Sequence, residues 1–163
     1  MAIRTRVGQG FDIHRFVEGP SERVLVLGGV KFPGEKPLAG HSDADVIAHA
    51  AADALLGAAA LGDIGMHFPD TDPQVAGANS LTLLAHVAQL VRSAGYEIGN
   101  VDCSIVCEKP KIAPHREAMQ KLLSDAAGAT ITVKGRRAEG LGALGREEGI
   151  ACWAVAVIER TQA

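Results

Sequence analysis

Apolar residues fall along this chain in two periods. Val24 to Val30 and Ile150 to Ile158 are almost unbroken apolar runs, as in strands buried on both faces, and the second should be central in its sheet. Ile98 to Glu108 and Thr130 to Lys134 are further strand-like stretches. Arg4 to Gly10 reads as a first strand entering a turn at Gly8-Gln9-Gly10, and Phe11 to His14 follows in extended form. Alternation then places Asp12 and His14 on one side. The first two strands are expected to pair as a hairpin.

A helical period runs from about Asp45 to Leu61, with Ser42 or Asp43 as its cap. It is mostly alanine and leucine, so the helix should pack on several sides. Asp45, His49 and Asp53, at i, i+4 and i+8, share one face. Asn79-Ser80 opens a second helix with Leu83, Val87, Leu90 and Val91 inward, stopping at Ala94-Gly95. A third runs from His115 to Ala127 and closes at Gly128. Phe68 to Gly77 is a loop. Gly135 to Gly149 holds five glycines and reads as a functional loop with one helical turn. The order β-β-α-α-β-α-β predicts an α+β (α/β layered) fold, with one sheet of about four main strands covered on one face by helices.

The length of 163 residues suits a single domain spanning 1–163, and 47% hydrophobic with 21% charged residues is a globular composition. A net charge of −3 offers no general attraction to nucleic acid or anionic membrane, so an anionic ligand must be held by local groups. No uncharged apolar run is long enough to span a membrane, and Met1-Ala2-Ile3-Arg4 lacks a signal-peptide core. Cys103, Cys107 and Cys152 form no CxxC pair and read as buried reduced thiols of a cytoplasmic protein.

The polar residues left inside these apolar frames carry the chemistry. Asp12, His14 and His49 supply two imidazoles and a carboxylate, which leave one position open on a tetrahedral zinc. Asp53, one turn beyond His49, is placed to hydrogen-bond behind it. Asp63, Asp70 and Asp72 can bind a hard cation or orient hydroxyls. His41, beside Ser42, can donate to an oxyanion. Lys109-Pro110-Lys111 lies at a strand exit. The stretch from Lys134 to Arg146 offers backbone N–H groups, Arg136, Arg137 and Arg146, and Glu139 as a cation ligand.

Together these segments are far more specific than any one alone. Gly10-Phe11-Asp12-Ile13-His14, His41 to Val46 with His49, Leu55 to Gly65, Phe68-Pro69-Asp70-Thr71-Asp72, Pro110-Lys111 and Gly149-Ile150-Ala151 closely resemble 2-C-methyl-D-erythritol 2,4-cyclodiphosphate synthase over essentially the whole chain. The resemblance implies an enzyme of the non-mevalonate route to isoprenoid precursors. It would convert 4-diphosphocytidyl-2-C-methyl-D-erythritol 2-phosphate to the cyclodiphosphate with release of CMP, the 2-phosphate attacking the β-phosphorus. By that resemblance Asp12, His14 and His49 hold zinc, Asp12 and His14 also contact substrate, and Glu139 holds a magnesium or manganese ion and contacts substrate. His41 would be catalytic, with Ser42 beside it. Asp63, Ile64, Gly65, Phe68, Asp70 and Asp72 would hold the erythritol. Cys107, Lys109, Pro110, Lys111, Ile112 and Ala113 would line the cytidine pocket. Arg136, Arg137, Ala143 and Arg146 would lie near the diphosphate. The family assembles as a homotrimer with sites shared between subunits.

The chain departs from the family after Lys134, where alanine and hydroxyl residues usually stand. It reads Gly135-Arg136-Arg137, and Arg137 occupies the place of a threonine that acts at the transferring phosphate. If Arg137 points into the site it would be a catalytic-site cation; if it points out, the site lacks one donor. Gly145-Arg146-Glu147-Glu148-Gly149 similarly carries a glutamate where glycine is usual. Two rival readings share the scaffold: a metal-dependent phosphohydrolase using water, and a weakened trimer that binds an isoprenoid diphosphate.

Overall fold

The structure, a computed structural model, describes residues 3–161; the leader reading rests partly on Met1 and Ala2, which lie outside that range. Twelve elements follow in order: β1 (Ile3–Arg15), β2 (Leu25–Leu27), β3 (Val30–Phe32), α1 (Val46–Ala59), α2 (Ile64–His67), α3 (Ser80–Ser93), β4 (Glu97–Val106), a 3₁₀ turn (Ala113–His115), α4 (Arg116–Ala127), β5 (Thr130–Arg136), α5 (Gly142–Gly145) and β6 (Gly149–Thr161). The main sheet has the order β1-β6-β4-β5, with β4 and β5 parallel and the other pairs antiparallel. Helices α1, α3 and α4 pack against it, and the core lies between. A mixed α/β layer with a four-stranded sheet and a central last strand is thus as the sequence pattern implied. Among the described residues no helix is long and apolar enough to cross a membrane.

Three local expectations need correction. The first strand does not form a hairpin with the second. It pairs with β6 over its whole length, from Ile3↔Thr161 to Arg15↔Gly149. Val24 to Val30 is not one strand either. It breaks at Gly28 and Gly29, both with positive φ (57° and 77°), into the separate two-stranded hairpin β2–β3. Finally, Gly8-Gln9-Gly10 is no turn; β1 runs straight through it. The glycines serve contact instead. A Cβ on Gly8 would lie 2.1 Å from the Ala54 carbonyl oxygen, and one on Gly10 would lie 2.0 Å from that of Ala50. The strand backbone therefore rests directly on α1, whose Ala50, Ala54 and Ala58 turn a smooth stripe toward it.

That helix begins one residue later than its pattern suggested. Its cap is Asp45, rather than Ser42 or Asp43, with the carboxylate accepting from the N–H of Ile47 and Ala48. Asp45 also accepts from Gly28 N (2.8 Å) and Gly29 N (2.7 Å), so one fully buried carboxylate joins the β2–β3 turn to the helix. Burial and the nearby Asp43 carboxylate push Asp45 up to about 6, while the Gly28 and Gly29 N–H bonds oppose the rise. Arg6 closes the other end by donating to the Ala58 carbonyl in the last turn. In α3, Asn79 caps as expected, and Leu83, Val87 and Val91 are buried with Leu84 and Ala88, whereas Leu90 is half-buried. Gly128 ends α4 in the left-handed conformation. The three cysteines are buried and unpaired.

The opposite face of the sheet is open along β1 and β6. Ile3, Val7, Phe11, Ile13, Trp153 and Val155 are all exposed there, between 40% and 66%, and the Phe11 and Trp153 rings lie 4.9 Å apart.

The seam between β1 and α1 makes a direct prediction. Gly10→Ala should lower stability by about 3 kcal/mol or more, since its methyl meets backbone that cannot rotate away. Chemical denaturation measures this; a loss under about 1 kcal/mol would mean that the strand and helix can separate freely.

Candidate active site

Asp12 and His14 leave β1 on its inward side, two residues apart. His49 comes down to them from the first turn of α1. Asp12 Oδ2 lies 3.0 Å from His14 Nε2 and 3.0 Å from His49 Nδ1, and the two imidazole nitrogens are 3.4 Å apart. All three ligand atoms lie within 4.8 Å of one another.

The hydrogen bonds behind the rings assign their protons. His14 Nδ1 is 2.7 Å from the Ala39 carbonyl, which can only accept, so Nδ1 carries the hydrogen and Nε2 is bare. The Ser80 hydroxyl gives its one hydrogen to Asp43. It must therefore accept from His49 Nε2, 2.8 Å away, which leaves His49 Nδ1 bare. The Ser42 hydroxyl lies 3.1 Å from the same Nε2. With neutral rings, two lone pairs and a carboxylate thus converge, an arrangement that calls for a positive charge between them, a metal ion or a proton. When that charge is a proton, burial would raise Asp12, but the hydrogen bonds and charge of imidazoles protonated on their facing nitrogens outweigh it and hold the carboxyl well below the usual range. Burial opposes a charge on His14, and the Asp12 carboxylate more than offsets this, raising His14 above the ordinary 6.5. The donor set and its oriented rings fit a divalent metal ion.

Two residues expected on the same helix face as His49 point elsewhere. Asp45 faces the β2–β3 turn as described. Asp53 does not reach His49; its carboxylate accepts from Ile64 N at 2.9 Å and pins the chain after α1. The serines already occupy the nitrogen behind His49. Ser80 went unseen as a site residue because it is 31 positions away and reads locally as part of a helix start.

Asp12, His14 and His49 line a pocket of about 180 Å³ with His41, Ser42, Ile64, Gly65, Phe68, Asp70, Val75 and Leu83. His41 is exposed, with Nε2 3.3 Å from the Asp72 carbonyl. The Asp72 carboxylate itself accepts from Gln74 N at 2.9 Å in a turn, and Asp63 caps α2 by accepting from Met66 N at 3.0 Å.

A second cavity, of about 300 Å³, lies past the ends of β4 and β5. Cys107, Pro110, Lys111, Ile112, Ala113, Arg136 and Arg137 surround it with Glu108, Arg116 and Gly135. Burial, with Glu108 beside it, pushes the Cys107 thiol up to about 12, so it is no nucleophile. Lys109 turns away to Glu147, 3.5 Å distant, an exposed pair worth at most about 1 kcal/mol. Arg137 pairs with Glu108. Glu139 is exposed with a φ of 54°. Arg146 pairs with Glu148 at 2.8 Å, and Ala143 borders a third, open space of about 600 Å³ beside Ile13 and Leu144. Among the described residues the two site-like cavities share no lining residue.

Comparison with known proteins agrees with this geometry. Residues 5–159 match the YgbB family. A 2-C-methyl-D-erythritol 2,4-cyclodiphosphate synthase from Geobacillus thermodenitrificans is 52% identical, over 97% of this chain and 99% of that protein. The bifunctional IspDF from Campylobacter jejuni superposes with a TM-score of 0.91 at 38% identity, covering 99% of this chain and 44% of that longer one. IspF from Plasmodium falciparum, solved as a CDP complex, gives a TM-score of 0.83 at 35% identity over 97% of each chain. Near-complete coverage, half the residues shared and one common fold lead to a single conclusion: the chain belongs to the YgbB family.

Proposed function

We propose that this chain, as one domain over residues 1–163, is a 2-C-methyl-D-erythritol 2,4-cyclodiphosphate synthase. It takes 4-diphosphocytidyl-2-C-methyl-D-erythritol 2-phosphate, the 2-phosphate attacks the β-phosphorus, and CMP leaves as the cyclodiphosphate closes. The observation that carries the reading is the set of three bare ligand atoms on the floor of a pocket whose wall includes His41. Phosphoryl transfer asks for positioning and charge neutralisation, and the attacking group belongs to the substrate. No protein nucleophile is needed.

In this reading Asp12, His14 and His49 hold zinc, and Glu139 holds magnesium or manganese. Bound there, the two ions supply Lewis-acid polarisation of the diphosphate. His41, steadied by the Asp72 carbonyl, orients the 2-phosphate and its developing charge. Ser42, Ile64, Gly65, Phe68 and Asp70 enclose the erythritol. Asp63 and Asp72 act one step back, through the turns they cap. The cavity bounded by Cys107, Pro110, Lys111, Ile112 and Ala113 takes the cytidine, consistent with the CDP complex of the Plasmodium relative. The buried, separate thiols suit the reducing cytoplasm.

The two cavities of one chain do not meet, which favours assembly. Six exposed apolar side chains on the open face of β1 and β6 would be covered by a second and third copy. A homotrimer would set the nucleotide cavity of one subunit beside the metal pocket of the next.

Four outcomes are expected. Incubated with substrate and Mg²⁺, the protein should yield the cyclodiphosphate and CMP by phosphorus NMR, whereas a linear phosphate would identify a hydrolase. Metal analysis of the purified chain should give about one zinc, with most lost in His49→Ala. Because Asp12 raises the proton affinity of metal-free His14, and zinc needs the deprotonated ring, zinc affinity should fall from about pH 8 to about pH 6. Affinity that does not change over that range, or full zinc in His49→Ala, would remove these ligands from the set. Light scattering should return a three-chain mass, and a monomer would sink the shared-site arrangement.

A further inference from the structure

The exit of β4 carries a carboxylate with no part in the reading above. The side chain of Glu108 is only 9% exposed although it sits at the rim of the nucleotide cavity. It reaches across to the segment after β5. One oxygen accepts from Ala138 N at 2.7 Å, and the other takes Arg137 Nε and Nη2 at 3.3 and 3.2 Å. Glu108 thus holds the two residues that lead into Glu139. Glu139 itself has a φ of 54°, a left-handed conformation that a glutamate keeps only where its surroundings impose it.

We infer that Glu108 is a positioning residue: it folds the 137–140 turn so that Glu139 is presented to the ion on the diphosphate. Arg137 is part of the same tie and is not a phosphate ligand. The inference rests on the reading of Glu139 as ligand to magnesium or manganese. It adds a connection between binding events, because Glu108 is also the root of the Lys109 to Ala113 loop around the cytidine cavity. A nucleotide that orders this loop orders the metal ligand through one side chain. The threonine position of the family is filled here by a cation that is already neutralised, so the changed residue belongs to the scaffold of the turn.

Reach and charge can be separated by two conservative variants. Glu108→Gln keeps the length and an oxygen for Ala138 N but loses the charge. Glu108→Asp keeps the charge but is one methylene too short. The probe is Mn²⁺ titrated into the zinc-loaded enzyme with CDP and followed by electron paramagnetic resonance. Zinc content and CDP affinity without Mn²⁺ are measured alongside. In Glu108→Asp the Mn²⁺ dissociation constant should rise by on the order of 10-fold, as when a partner behind a metal ligand is lost. Zinc content and metal-free CDP affinity should stay within about 2-fold of the parent, and Glu108→Gln should bind Mn²⁺ within about 3-fold of it, by the same standard. Arg137→Thr should leave CDP affinity unchanged in the presence of Mn²⁺. Parental Mn²⁺ binding in Glu108→Asp overturns the inference, as does an equal loss of CDP and Mn²⁺ affinity, which would mark a general collapse of the cavity. A large loss of CDP affinity in Arg137→Thr would make that arginine a phosphate ligand and overturn it too. Should the parent with CDP bind no Mn²⁺, the reading of Glu139 fails and this inference fails with it.

Discussion

One close approach sets the rest of the molecule in place: the bare backbone of β1 against the alanine stripe of α1. A side chain at Gly8 or Gly10 would drive a carbon to about 2 Å from a helix carbonyl, so the two elements are nearer than ordinary core residues permit. Strand and helix run so that Gly8 faces Ala54 and Ala58, Gly10 faces Ala50 and Ala54, and Asp12 then meets His49. The metal-binding corner is the next step of that contact. A spacing wider by one methyl group would take the His49 nitrogen out of reach of Asp12, because ligand geometry tolerates only a few tenths of an ångström.

The corner also has to resist its own electrostatics. Two bare nitrogens and a carboxylate within hydrogen-bond distance repel one another until a cation enters. The protein holds them by the far side of each ring. The Ala39 carbonyl fixes His14, and the pair Ser80 and Asp43 fixes His49. Asp43 thereby ties the start of α3 to the loop before α1, and Asp45 ties the β2–β3 turn to α1 itself. Two acidic residues with a single residue between them, Asp43 and Asp45, therefore build the frame behind the ligands, and neither touches the centre.

The chain presents metal and nucleotide regions on separate parts of its surface, and the sheet has one covered and one open face. The apolar groups on β1 and β6 are expensive to leave in water at about 25 cal/mol per Å², and in the proposed trimer a neighbour would bring the two cavities into one continuous site. Assembly would answer both needs with the same contact. Glu108 stands where the nucleotide loop and the Glu139 turn meet, which is the part of the site a chain can preorganise before any neighbour arrives.

Much of this was legible in the residues alone. The helical period from Asp45 to Leu61, the caps at Asn79 and Gly128, the central apolar run after Gly149 and the alternation that puts Asp12 beside His14 are local patterns, set by 3.6- and 2-residue repeats and by capping chemistry. His49 joined them through the motifs of the whole chain. Other features needed three dimensions. Gly8 and Gly10 looked like a turn because a glycine chosen for close contact and one chosen for bending are the same letter. Asp45, His49 and Asp53 share a helical stripe in projection, yet a cap residue lies outside the helix, and Asp53 found the Ile64 N–H first. The pairing of Ile3 with Thr161 and the bonds from Ser80 to His49 and from Glu108 to Ala138 link residues tens to more than a hundred positions apart. Local periodicity determined which segments became helix and strand. Which of them met was decided by the packing of the whole chain, since a contact between distant residues leaves no period in either segment.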